Sequence, residues 1–267
     1  MVNRPEAFWE GVRLTINQVA DFLFDAFRMF DSGNVERKGL HDLVSYVDRN
    51  AESQLQKGLL ELDGKIGFWG EEGGKGGKET TTYWLVDPLD GTTNFIHGIP
   101  HYAISVALVE DGEIVAGFVH DVERGILYEA QVGKGAYCQG QPIGTSTCAH
   151  FEDALIATGF PVNQFEHADY LGELIPQFMK KTHGLRRFGS AALDLVHVAD
   201  GRYEAFYEFG LKPWDVAAGA LIVKEAGGEV CSHLGDQNWL QGPSIVASAS
   251  AQIQSEMLHV LKSIKHA

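Results

Sequence analysis

The stretch Trp84-Leu85-Val86-Asp87-Pro88-Leu89-Asp90-Gly91-Thr92-Thr93-Asn94-Phe95 constrains this chain more than any other. An apolar run ends in two carboxylates, Asp87 and Asp90, followed at once by a Gly-Thr-Thr helix start. Leu85 and Val86 read as a buried strand. Asp87 precedes a proline, which biases its backbone toward extended geometry, and Pro88 fixes its own φ and offers no N–H. Leu89 can then turn its carbonyl oxygen toward the point that the two Asp side chains face. Gly91 lets a ligand approach the backbone closely. The N–H groups of Gly91, Thr92 and Thr93, at a helix N-terminus, are donors suited to an anion. Hard oxygen ligands beside such a nest are what Mg²⁺-dependent phosphoryl chemistry requires.

Two further clusters bear on the same chemistry. Trp214-Asp215 precedes the run Val216-Ala217-Ala218-Gly219-Ala220-Leu221-Ile222-Val223-Lys224-Glu225-Ala226-Gly227-Gly228, whose small and apolar residues fit a tightly packed helix ending at Gly227 or Gly228. Asp215 falls at or near its N-terminus, where the helix dipole stabilises an acid. The third cluster, Gly70-Glu71-Glu72, lies in a glycine-rich segment.

In this order, the DP-x-DGTTNF and WD-x-AAG…EAGG patterns resemble the inositol monophosphatase family of the lithium-sensitive phosphatase superfamily. The resemblance runs from about Gly39 to the C-terminus, and the segment Arg186-Arg187-Phe188-Gly189-Ser190-Ala191-Ala192-Leu193-Asp194-Leu195 looks like its bacterial branch. It implies a layered αβαβα sandwich, of the type shared with fructose-1,6-bisphosphatases. In that fold residues 1–267 form one unit, an α+β half (1–150) and an α/β half (151–267) with the metals between them. It also implies two or three Mg²⁺ ions held by Glu71, Asp87, the Leu89 carbonyl, Asp90 and Asp215, with Li⁺ as an inhibitor and a homodimer as the assembly. The physics of the residues agrees: four converging carboxylates repel one another unless cations relieve them.

The reaction so implied is direct attack of water on a phosphate monoester. Glu71 orients the water, and the Thr92 hydroxyl with Asp48 relays its proton; Thr92 is also placed to cap the helix that follows. Gly91 and Thr92 N–H groups hold phosphate, while Asp90, Ala191, Glu208 and Asp215 stand at the substrate, Glu208 as an acceptor for vicinal hydroxyls of a polyol. Ser190 reads as a helix cap that also meets the substrate. Arg186 and Arg187 read either as substrate-phosphate ligands or as interface and salt-bridge residues, and Lys38 has no assigned role. The chain departs from the family pattern at Gly73, where relatives often carry Ser or Thr, and in a long Gly-Lys stretch beyond it.

Composition limits the alternatives. A formal charge of −15 in 267 residues argues against a direct nucleic-acid grip, which needs a basic face. The three cysteines, Cys138, Cys148 and Cys231, form no CxxC and read as reduced thiols of a cytoplasmic protein. No apolar run is long enough to span a membrane, and the first residues lack a signal-peptide core. There is no GxSxG or Cys-His pattern. His97 and His101 flank the motif helix without a ligand-like partner acid.

An apolar stripe at Val12, Ile16, Val19, Leu23, Phe27 and Phe30 predicts a helix over 8–30, ended by Gly33 and Asn34. Phe22, Phe24, Phe27 and Phe30 read as core or dimer interface. A second helix is expected from near Asp42, with Val44, Val47, Ala51, Leu55 and Leu59 on one face. Residues 67–82 read as a mobile loop. Strands are expected at 84–86, 103–109, 114–119, 126–131, 155–158, 203–207, 229–231 and 245–249. Helices are expected at 167–181, 191–199, from Asp215, and at 251–264. The substrate favoured is inositol 1-phosphate. Fructose 1,6-bisphosphate, histidinol phosphate and 3′-phosphoadenosine 5′-phosphate are the rivals within the enzyme class. A regulatory protein-binding role is the rival outside it.

Overall fold

The structure, a computed structural model, describes residues 4–30, 37–76, 80–160 and 168–264; the side chains of 30, 37–45, 75 and 76 are not described. The helix stop at Gly33-Asn34, the side chains of Phe30, Lys38 and Val44, and His167 therefore lie outside the described set.

Two long N-terminal helices, α1 (Glu6–Phe30) and α2 (Arg37–Leu62), form the first layer. The second is an eight-stranded sheet of β1 (Gly67–Gly70), β2 (Gly74–Gly76), β3 (Thr82–Asp90), β4 (Ala103–Glu110), β5 (Glu113–Asp121), β6 (Ile126–Gln131), β7 (Ala136–Cys138) and β8 (Gln141–Ile143), in the order β2-β1-β3-β4-β5-β6-β7-β8. Strand alternation decides what each face meets. Ile104, Val106 and Leu108 of β4 pack with Val12, Ile16 and Leu23 of α1 and Val47, Ala51 and Leu55 of α2. Ala103, Ala107 and Val109 pack on the opposite side, against two later helices. The five-residue α3 (Thr92–Ile96) follows β3 directly.

Those later helices, α5 (Ala191–Ala199) and α6 (Pro213–Glu225), make the middle layer. Every residue of α5 is buried, as is the run Val216 to Val223 of α6. A helix enclosed on all sides is apolar all round, and close packing calls for small residues: a Cβ added to Gly219 would fall 2.6 Å from Leu195 Cβ. The fourth layer is a sheet of β9 (Leu155–Thr158), β10 (Gly184–Arg186), β11 (Ala205–Phe209), β12 (Glu229–Cys231) and β13 (Ser244–Ser248), in the order β10-β9-β11-β13-β12. Phe206, Ile245 and Ala247 face the middle layer. Tyr207, Phe209 and Val246 face the fifth layer, α4 (Ala168–Lys181) and α7 (Ala251–Lys262). The architecture is thus α/β/α/β/α, as the family resemblance implies.

The differences are local. Helix α2 begins at Arg37, five residues before Asp42. The segment read as loop over 67–82 contains β1 and β2, because short glycine-rich strands carry no alternation to read. The meander continues through β7 and β8, and β10 was not foreseen. All three cysteines are free. Phe27 is buried in the α1–α2 core, with Phe22 and Phe24 packed at its margin. No helix among the described residues is long and apolar enough to cross a membrane.

Candidate active site

Side chains three positions apart on a regular strand point to opposite faces. Asp87 and Asp90 nevertheless share one, because β3 carries a bulge between them. Asp87 pairs with Ser105 and Asp90 with Ala103, so three steps on β3 match two on β4. Pro88 sits inside the bulge, where its missing N–H costs no ladder bond. Both carboxylates therefore face the middle layer, the side on which Ser105 Oγ donates to Trp214 O at 2.8 Å. Leu89 N donates to Asp87 Oδ1 at 2.9 Å.

The other acids arrive from three elements. Parallel pairing of β1 with β3 sets Gly70 opposite Val86, and Glu71 N donates to Val86 O at 3.2 Å, which brings Glu71 beside Asp87. Asp215 lies in the first turn of α6, behind Pro213, and accepts from Lys212 N at 2.7 Å. Glu71, Asp87 and Asp215 present carboxylate oxygens within 4.8 Å of one another. Asp90 is held from the opposite half of the chain: Ser190 Oγ and Ala192 N each donate to its Oδ2 at 2.7 Å. Ser190 also caps α5 by accepting from Leu193 N.

The turn into α3 supplies the N–H groups. Gly91 takes φ 98°, a left-handed conformation that favours glycine, and a Cβ there would fall 3.0 Å from His101 O. The first intrahelical bond runs from Phe95 N to Gly91 O, so the N–H groups of Gly91, Thr92 and Thr93 precede it. Thr92 makes no capping bond; its Oγ1 donates to Leu89 O at 3.0 Å. Asn94 Nδ2 donates to His101 O and to Phe188 O, both at 2.8 Å, tying this turn to the strand-to-helix segment before α5.

These groups line one open cleft of about 240 Å³. Glu71, Asp87, Leu89, Asp90, Gly91, Thr92, Ala191, Glu208 and Asp215 all border it, with Phe160, Arg187 and Leu211 at its margin. Asp48 does not border it, being buried on α2 close enough to Glu71 and Glu72 to feel their charge, and Ser190 and Arg186 are not in the lining either. Arg187 places its guanidinium 5.5 Å from the Phe160 ring, and Arg186 is exposed. His101 is buried away from the cleft.

Burial, then mutual repulsion, raises the carboxylates. Asp87 stands well above the usual range because it is enclosed beside Glu71, Asp90 and Asp215. Glu208 is pushed up to about 8 by enclosure and by Asp90. Burial likewise raises Asp48 to about 8, helped by Glu72, Glu71 and Glu52. None of the ion pairs among the described residues reaches Glu71, Asp87, Asp90 or Asp215. Crowded acids without a cationic side chain to pair with fit a bound hard cation. The donors are carboxylates and a carbonyl, with no His or Cys in the lining, which suits Mg²⁺ over imidazole- or thiol-seeking metals.

Sequence reasoning missed Asn94, the buried Asp194 and Glu52. Asp194 is the single acid within α5, and its Oδ1 has no hydrogen-bond partner. It is held well above its ordinary range by burial, then by Glu208 and Asp90. A lone acid in the helix Ala191–Ala199 was the available signal.

A two-sheet sandwich with an acidic cleft beside helix-start N–H groups has the parts that cation-assisted phosphoester chemistry requires. Within that class, the sequence profile of the inositol monophosphatase family matches residues 10–266, and the chain belongs to this family. It is 44% identical to a putative Nus factor SuhB of Neisseria meningitidis serogroup B over 86% of this chain and 88% of that protein. It is also 44% identical to an inositol-1-monophosphatase of Rhizobium meliloti, over 79% of this chain and 80% of the other. Among solved structures it is similar to the extragenic suppressor protein suhB from Bartonella henselae, with TM-score 0.87, 37% identity, and coverage of 96% of this chain and 98% of that one.

Proposed function

We propose that the protein is a Mg²⁺-dependent phosphatase of phosphate monoesters, with inositol 1-phosphate as the favoured substrate. What carries this reading is the convergence of Glu71, Asp87, Asp90 and Asp215 with the Gly91–Thr93 N–H groups on one cleft. In this reading Glu71, Asp87, Asp90, Asp215 and the Leu89 carbonyl hold the metal. Bound there, Mg²⁺ supplies positive charge to the phosphate oxygens and acidifies water. Gly91 and Thr92 N–H groups donate to the phosphate. Glu71 orients the attacking water. Thr92 Oγ1 accepts from that water; its own hydrogen, given to Leu89 O in this structure, must swing to Asp48 for that carboxylate to take the proton. Attack forms a bond from the water oxygen to phosphorus and breaks the ester P–O bond; the alkoxide leaves and takes up a proton. Asp90, Ala191 and Glu208 face the alcohol, where Glu208 accepts from vicinal hydroxyls.

The test is phosphate release from inositol 1-phosphate, fructose 1,6-bisphosphate, histidinol phosphate and 3′-phosphoadenosine 5′-phosphate, with Mg²⁺ and with chelator. Activity is expected on the first, lost in chelator and restored by Mg²⁺. Asp90→Asn should abolish turnover with an unchanged circular dichroism spectrum. A full rate in chelator, or normal turnover in Asp90→Asn, would overturn the assignment. Inhibition by Li⁺ and a dimer in sedimentation belong to the same reading.

The relatives named Nus factor SuhB support a second reading, a regulatory role that involves protein partners. Recovery of one defined partner by both wild type and Asp87→Asn would support it; no retained partner, with intact phosphatase activity, would remove it.

A further inference from the structure

We propose that Glu52 is the positioning residue that holds the Glu71 loop at the cleft. Glu52 lies one helical turn after Asp48 on α2, beside Ala51 and Leu55 of the buried stripe. An acid at 7% exposure on that face needs partners. None of the ion pairs among the described residues includes it. Both of its oxygens are taken instead by successive backbone N–H groups: Glu72 N donates to Oε2 at 2.8 Å and Gly73 N to Oε1 at 2.6 Å. Those residues form the turn between β1 and β2, whose register pairs Gly70 with Gly74.

The fit is close. A Cβ on Gly70 would fall 2.2 Å from Glu52 Oε2, and one on Gly73 would fall 2.7 Å from Oε1. Glycine at positions 70 and 73 thus leaves room for the carboxylate. Glu71 is therefore fixed from two sides, by its bond to Val86 on β3 and by α2 through Glu52. Hydrogen bonds to an ionised acceptor are about twice as strong as neutral ones. Among the described residues Glu52 belongs neither to the cleft lining nor to the converging acids, so it orients the Glu71 loop and is not itself a cation ligand. The sequence marks none of this, because Glu52 looks like any helix acid until the loop folds back on it.

The inference rests on the cation reading of the cleft, so its test measures the cation directly. Mn²⁺ uptake is followed by electron paramagnetic resonance, alongside hydrogen exchange at residues 72 and 73 and thermal unfolding in chelator. Glu52→Gln keeps the volume but turns an NH₂ toward an N–H donor. Mn²⁺ binding is expected to weaken by roughly 10-fold to 100-fold, as for other groups that orient metal ligands. Amide exchange at 72 and 73 should accelerate, and the melting temperature in chelator should not fall. Gly73→Ala, at an exposed position, attacks the same contact from the loop side and should reproduce the effect in a fully folded protein. An unchanged Mn²⁺ constant in both variants, with normal wild-type uptake, would overturn this inference alone. A melting loss that accounts for the weakened binding would reduce Glu52 to a packing role and overturn it too. Wild-type protein that takes up no Mn²⁺ would overturn the cation reading and this inference with it.

Discussion

The carboxylate of Glu208 lies where a side chain on Gly159 would have to be. A Cβ built there falls 2.0 Å from both Cδ and Oε2 of Glu208, so the strand end at Thr158-Gly159 leaves space that the acid fills. Gly159→Ala should therefore push Glu208 out of its place without touching the acids of β3. Kinetics on inositol 1-phosphate and on an aryl phosphate would read this. The polyol ester should lose roughly 10-fold or more in kcat/KM, the scale of one buried polar contact, and the aryl ester little. Glu208→Ala should show the same split, and equal losses on both esters would remove Glu208 from the alcohol side. Residue by residue, what was legible sits in contiguous motifs: Asp87, Leu89, Asp90, Gly91 and Thr92 fall within one stretch of chain. Gly159, Asn94 and Glu52 were not legible, because each acts on a partner far away in sequence. Asn94, for instance, reaches Phe188 across 94 positions. Ser190 was half legible: its capping role follows from its place before Ala191, its grip on Asp90 only from the fold.

Among elements, the enclosed helices were easiest to read and the short strands hardest. The run Ala191–Ala199 is continuous in small and apolar residues with Ser190 ahead of it, and the helix occupies that span. Helix α6 has its own start signal in Pro213 and Asp215. Strands β1, β2 and β10 are three or four residues long, and their glycines hide them; they exist because a neighbouring strand offers a ladder, which is tertiary information. The bulge in β3 is the most consequential feature of this kind. The sequence shows Asp-Pro-Leu-Asp; only pairing with β4 shows that the odd spacing is corrected so that both acids face the middle layer. That layer has little slack. Gly219→Ala places a methyl 2.6 Å from Leu195 Cβ, a backbone-anchored atom on a fully buried helix. Urea unfolding should register a loss of about 1–3 kcal/mol for this overpacking. An unchanged midpoint would mean that α5 and α6 can slide apart more freely than an enclosed layer allows.

At the scale of the molecule, acid and base limbs of stability are set by groups that folding strips of water. His101 precedes β4 and His197 lies on α5, yet their rings meet at 6.4 Å between centroids in the interior. His101 Nε2 and His197 Nδ1 have no hydrogen-bond partner among the described residues. Burial lowers His101 to about 4, with Asp121 opposing it and Arg124 adding to it. Burial lowers His197 to about 3, with Arg202, His101 and Arg124 adding to it. Both rings are thus neutral in the folded chain at a pH where the unfolded chain protonates them near 6.5. Their contribution is intact above that value and is lost as pH falls from about 6.5 toward 4 and then 3, since the unfolded state binds the extra protons. Buried Asp194 acts in the opposite sense. Its raised folded value means stability present below its unfolded value and lost as pH rises through the folded one. The wild-type profile mixes the two, so a single variant has to separate them. His101→Phe keeps an aromatic ring against Phe188, 5.3 Å away between centroids, and removes one titrating nitrogen pair. The unfolding free energy taken from urea curves between pH 7.5 and 4.5 should decline less steeply on the acid side in this variant, by about 1.4 kcal/mol per pH unit at most. Above pH 7 the two proteins should run parallel. A variant whose acid limb matched the wild type would show that His101 takes up its proton in the folded state.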